Sequence, residues 1–212
     1  MRPLPLVGAS FALMVLASAT HAQSNEKPRR LHLGAGAEVM DHLGSECTQD
    51  VDVTGCQDGG TFFFPFTFSA SFRLLPWVSL GGRFAAAGKS IGGVGSHAPR
   101  QISIWQLSLE PRAYPLGHPP VAPFVGFVFG YGSLRQTSAE VPEKTTHGSL
   151  LVGGALGADF SVTEWLALTT ELRLARMDFA PPSAERVDGR SAFYLGATWL
   201  SLGLQLVALL PV

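Results

Sequence analysis

The chain has 212 residues, 46% of them hydrophobic, and 15 Lys+Arg stand against 16 Asp+Glu for a formal charge of −1. That length suits one domain, and so balanced a charge gives no electrostatic case for a nucleic-acid partner. The hydrophobic residues are spread over alternate positions instead of gathering in long blocks, which argues against a bundle of membrane helices.

The first 22 residues read as a secretory signal. Arg2 is the positive region, Leu4 to Leu16 the apolar stretch, and Thr20 and Ala22 the small residues before a cleavage point at Gln23. Such a segment is removed and is not counted as a membrane span. No cysteine lies near the cleavage point, which disfavours a lipoprotein. Residues 23–212 then form a single domain, and loss of Arg2 takes the formal charge from −1 to −2.

From there the chain alternates at period two, the strand period. The first strand is expected over Leu31–Met40, with Leu31, Leu33, Ala35, Ala37 and Val39 on one face and His32, Gly34, Gly36 and Glu38 on the other. Residues 41–60 form an acidic loop. It holds Cys47 and Cys56, an even and closely spaced pair that in an exported protein most simply forms a disulfide. Asp41, His42, Glu46, Asp50, Asp52 and Asp58 crowd the same stretch, but their spacing matches no zinc or calcium pattern.

The second strand, 61–75, carries Phe62, Phe64, Phe66, Phe68, Ala70, Phe72 and Leu74 against Thr67, Ser69, Ser71 and Arg73. Pro65 cannot donate to a ladder, so it marks a rim or a bulge. A turn at Pro76-Trp77 leads to the third strand, 78–88, with Arg83 on its polar side. After a Gly-rich loop, 89–100, the fourth strand spans 101–115 and sets Ser103, Trp105, Leu107 and Leu109 against Gln106, Ser108, Glu110 and Arg112. The fifth, 121–136, sets Val125, Phe127, Phe129 and Tyr131 against Gly126, Gly130 and Gly132. A charged loop covers 137–146. Ser149 to Met177 is a hairpin of two strands turning at Val162 to Trp165, with Glu171 and Arg173 on its polar face. Loop 180–189 precedes the eighth strand, 190–207.

Four long connections alternate with three short turns, and the strands approach the ~9–11 residues that cross a bilayer. The expected fold is all-β: an eight-stranded antiparallel up-and-down transmembrane β-barrel, apolar outside. Outer-membrane barrels keep their turns short on the periplasmic side and their loops long outside. Trp77 and Trp165, at short turns, suit the membrane interface. Glu38, Arg73, Arg83, Glu110, Arg112, Glu171 and Arg173 would project inward. An eight-stranded lumen is just wide enough for side chains to fill. These charges would have to pair there, because burying them singly is costly.

The alternation, the turn Gly157-Ala158-Asp159-Phe160-Ser161-Val162-Thr163-Glu164-Trp165-Leu166 and the strand Leu168 to Arg173 resemble the small outer-membrane barrels of the OmpA-type and opacity-protein superfamily. The resemblance covers nearly all of the mature chain. It implies a monomer in the bacterial outer membrane, in contact with lipid and lipopolysaccharide, with no cofactor and no metal. Members often end on an aromatic residue used in assembly, whereas this chain ends Leu209-Leu210-Pro211-Val212. No peptidoglycan-binding domain follows, so no wall-anchoring role is implied.

The role expected of such a barrel is structural, or interaction through its loops, around a plugged polar lumen. A narrow pore for small solutes is the alternative. A lipid A-modifying enzyme is a third reading: His147 and Ser149 have the His-x-Ser spacing of the barrel deacylases, although both fall on the lumen face. Two further architectures are open. One is a helix over the uncharged stretch after Arg190, ending near Pro211. The other is a soluble lipocalin-like barrel, with the Phe-rich faces inward.

Overall fold

In the computed structural model, residues 30–43, 46–49, 54–57, 62–91, 100–117, 120–138, 145–177, 192–194 and 198–211 are described. The signal segment lies outside them. Eight antiparallel strands close into a barrel: β1 (Arg30–Leu43), β4 (Phe66–Leu75), β5 (Val78–Ile91), β6 (Arg100–Ala113), β7 (Val121–Ser138), β8 (Thr145–Ser161), β9 (Leu166–Arg176) and β11 (Thr198–Pro211). Each pairs with the next in the chain, and β1 pairs with β11 to complete the ring. Closure leaves no sheet edge, which is what lets strands stand in lipid with their backbone groups satisfied.

The register fixes the barrel's geometry. Successive partners run Leu33, Ala70, Gly82, Leu109, Phe129, Val152, Arg176, Thr198 and back onto β1 at Leu43. One circuit therefore climbs ten residues over eight strands, a shear that tilts the strands by about 40°. All the residues on this circuit face outward.

Period two sorts the side chains as the sequence suggests. Phe66, Phe68, Leu107, Leu109, Phe127, Phe129, Leu156, Leu172, Leu174, Leu202, Leu204 and Leu206 are exposed on the outside, while Glu38, Arg83, Glu110, Glu171 and Arg173 are buried inside. A soluble barrel would reverse this, so the lipocalin-like alternative is overturned. The helical alternative falls too, because Thr198–Pro211 is a strand paired on both sides.

Beyond shifts of a few residues at other strand ends, four differences from the expected boundaries stand out. Strand β4 begins at Phe66 instead of residue 61, because Pro65 has no N–H to give. Even so, Met40 and Phe63 still pair in unbroken register, so Pro65 makes a gap and not a bulge. Strand β8 starts at Thr145, which shortens the third long loop. The last barrel strand starts at Thr198, not at residue 190. Finally, the first long loop contains β2 (Glu46–Gln49) and β3 (Thr54–Gln57), which form a three-stranded sheet with β10 (Ala192–Tyr194) from the last loop. Pieces of four, four and three residues are too short for periodicity to reveal.

A second proline acts inside the wall. Between Leu109↔Phe129 and Arg112↔Gly126 the β6–β7 ladder skips two pairs with no change of register, at Glu110 and Pro111. A barrel has no edge strand on which to place a proline harmlessly.

Outward aromatics mark two levels. With the stagger of the circuit removed, Phe64, Trp105 and Tyr131 come within about one residue of a common height. Trp77 and Trp165 lie at the short-turn end, and the two belts are separated by about 25 Å, the height of an outer-membrane apolar band.

Candidate functional site

The barrel interior is the one place where chemistry-bearing side chains converge among the described residues. It is built in three layers, each dictated by the inward positions of successive strands.

The middle layer is ionic. Arg83 on β5 pairs with Glu38 on β1 and, at 3.0 Å, with Glu171 on β9. Arg112 on β6 bridges Glu110 at 2.8 Å and Glu171 at 2.6 Å. Arg173 on β9 pairs with Glu110 and, at 3.0 Å, with Glu171. The Ser108 hydroxyl donates to Glu110 at 2.7 Å. Glu171, Arg112, Glu110 and Arg173 thus form a closed ring, and Arg83 carries Glu38 as a branch from Glu171. The six side chains hold three carboxylates and three guanidiniums, so the formal charge cancels within the cluster. Cancellation with bonded geometry is what makes burial of six ions tolerable.

The seventh residue expected in this set, Arg73, is placed elsewhere. It sits nearer the short turns with its guanidinium 3.9 Å from the Tyr114 ring centroid, a cation–π contact. Arg112 makes a similar contact with Phe124 at 4.5 Å. Tyr114, Ala122 and Phe124 form a small apolar cluster at this inner end. A cavity of about 20 Å³ lies beside it, lined in part by His32, Ser71, Asp159, Thr169 and Gln205. Such a space has room for about one water molecule.

The outer layer is apolar, which the sequence reading missed. Met40, Phe63, Ile102, Ile104, Val128, Leu134, Leu151, Met177 and Trp199 pack together inside the barrel on the long-loop side of the ions. Phe63 and Trp199 meet with ring centroids 6.0 Å apart. The signal was available: Ile102 and Ile104 have the parity of Gln106 and Glu110, and Leu151 that of Ser149. At a strand's outer end a polar face can turn apolar without breaking the period.

His147 and Ser149 both point to the interior at the outer end of β8, away from lipid. Ser149 is buried and its hydroxyl donates to the Leu150 carbonyl at 3.0 Å. His147 is half-buried, and among the described residues no carboxylate orients it. The backbone register sets Cys47 opposite Cys56 on β2 and β3, while the side chains of both lie outside the described part. Among the described residues no group of His, Cys, Asp and Glu has the arrangement of a metal site.

A closed eight-stranded barrel with lipid-facing walls and a filled core defines the class: a small β-barrel of the bacterial outer membrane. The chain belongs to the Outer membrane protein beta-barrel domain family, whose match spans residues 9–199. Solved structures share the fold. Neisserial surface protein A (NspA) superposes with a TM-score of 0.57 at 11% identity, over 86% of this chain and 97% of that one. OprG from Pseudomonas aeruginosa gives 0.58 at 14%, over 88% and 98%. Ail of Yersinia pestis, in complex with the heparin analogue sucrose octasulfate, gives 0.52 at 11%, over 86% and 99%. No curated protein matches the sequence.

Proposed function

We propose that this protein is a sealed, non-catalytic outer-membrane barrel whose work is structural or is done by its external loops, as a monomer among outer-membrane lipids. The observation that carries this reading is the filled interior. The apolar layer closes the outer half, the ionic ring crosses the middle, and the cavity beside the ring has about 20 Å³. A water-filled path would need a continuous polar lining, and the outer layer breaks it. The narrow-pore reading loses its support at the same point.

The external loops carry the remaining chemistry. The Ail structure holds a polyanion, but a comparable site is disfavoured on the first long loop here. Between Leu31 and Phe72 the sequence contains no Lys or Arg, and Asp41, Glu46, Asp50, Asp52 and Asp58 fall in that loop or at its base. A loop of that charge suits cationic partners.

The test is single-channel conductance of the refolded chain in a planar bilayer. Silence from protein shown to be inserted is the expected result. Stable, discrete openings would refute the sealed lumen and restore the narrow pore.

A further inference from the structure

The three short strands are the barrel wall carried past its rim. Strand β2 follows β1 in the chain, and β10 precedes β11. Four residues outward from Leu43↔Thr198, on both strands, lies Cys47↔Tyr194. Seven residues outward from Met40↔Phe63, again on both strands, lies Cys47↔Cys56. Neither ladder gains or loses a residue on the way. The seams β11–β1 and β1–β4 therefore keep their register into β10–β2–β3. At the cysteines this extension has run about 23 Å of strand beyond Met40.

The register also gives the kind of pair that the cysteines make. Met40 and Phe63 exchange both backbone bonds: the Met40 N–H donates to the Phe63 carbonyl at 2.9 Å, and the Phe63 N–H to the Met40 carbonyl at 2.8 Å. In an antiparallel ladder such pairs alternate with pairs that exchange none. Seven steps is an odd number, so Cys47↔Cys56 falls on a pair without backbone bonds. Cα atoms of such a pair come within about 4.5 Å, the closest approach in the ladder. A disulfide spans Cα separations of about 4.4–6.8 Å. The N–H and C=O of one residue leave a strand on the same side, so those of Cys47 are directed to Tyr194 on β10. One residue is thus the junction of all three strands.

We propose that Cys47 and Cys56 form a cross-strand disulfide that clamps the first and last long loops into one three-stranded blade standing on the β11–β1–β4 wall. The spacing of the cysteines suggests a bond; the register adds where it acts and what it holds. Strands of four, four and three residues make a marginal sheet in water. Closing a loop as short as 47–56 restrains the open hairpin by about a hundredfold. The bond rests on the outer-membrane reading, because export supplies oxidising conditions. Each thiol gives up one proton and one electron. A disulfide-bearing exchange partner takes up the two protons and two electrons and leaves as a dithiol. The acidic first loop then meets a cationic partner with a fixed shape.

The chain would be refolded in detergent micelles with a glutathione redox pair. Trypsin reads the clamp without cutting its hairpin. No Lys or Arg lies between Leu31 and Phe72, whereas Arg186 and Arg190 lie just before β10. Iodoacetamide should label neither cysteine before reduction and both after it, in a monomer. Reduction with alkylation, or the double variant Cys47→Ser/Cys56→Ser, should speed cleavage after Arg190 by about tenfold or more. Cleavage after Lys144, in the third long loop, should stay unchanged. Thiols that label before reduction, or a bond between two chains, would overturn the disulfide. Equal cleavage after Arg190 in bonded and reduced protein would overturn the clamp. So would equal acceleration after Lys144, which would mean a general loosening. Absence of a compact electrophoretic form would instead overturn the barrel reading, and the blade with it.

Discussion

Glu171 is the residue on which the interior depends most. Its two oxygens meet three guanidiniums, those of Arg83, Arg112 and Arg173, from three different strands. Glu171→Gln keeps the shape and some hydrogen bonding but leaves a net positive charge in a buried cluster. Removing one partner from a buried ion cluster costs about 3–5 kcal/mol, far more than the loss of a surface pair. The urea midpoint of the refolded protein should fall accordingly, and high salt should not erase the difference between variant and wild type, since buried pairs are poorly screened. An unchanged midpoint would mean that the ring is decoration on a barrel held by its ladders alone.

At the scale of the element, strands whose outward and inward faces differ throughout were readable from period two, and their partners followed in chain order. What escaped was whatever breaks that rule. The pieces β2, β3 and β10 are too short to show a period, and β10 joins β2 across 140 residues or so of sequence that no local signal connects. The apolar end of the lumen was hidden because Met40, Ile104 and Leu151 look like continuations of an alternation already assigned as polar. The charge cluster was visible as a set of inward residues. Its membership was not, because which of four arginines leaves the ring for Tyr114 depends on cross-barrel distances. The β6–β7 seam makes its own prediction. Pro111 withholds an N–H where the ladder skips two pairs. Pro111→Ala should restore a donor and raise stability by about 1 kcal/mol. Amide exchange along the adjoining part of β7 should slow in that variant, and equal exchange in both proteins would show that the gap has another cause.

Over the whole molecule, the usual arrangement of a globular protein is inverted: apolar side chains outside, ions and an apolar outer layer within, and belts spaced for a bilayer. The four tryptophans report on it directly. Trp77, Trp105 and Trp165 are exposed, with relative accessibilities of 54%, 41% and 64%, on the outward surface at the two belt levels, whereas Trp199 is 2% accessible inside the barrel. The measurement is fluorescence of the four single-tryptophan variants, refolded in vesicles whose lipids carry bromine at known depths. Quenching of Trp77, Trp105 and Trp165 by shallow labels, with Trp199 untouched by labels at any depth, is the predicted result. Quenching of Trp199 with protection of the other three would place the Phe- and Leu-rich faces inside and contradict the account at its root.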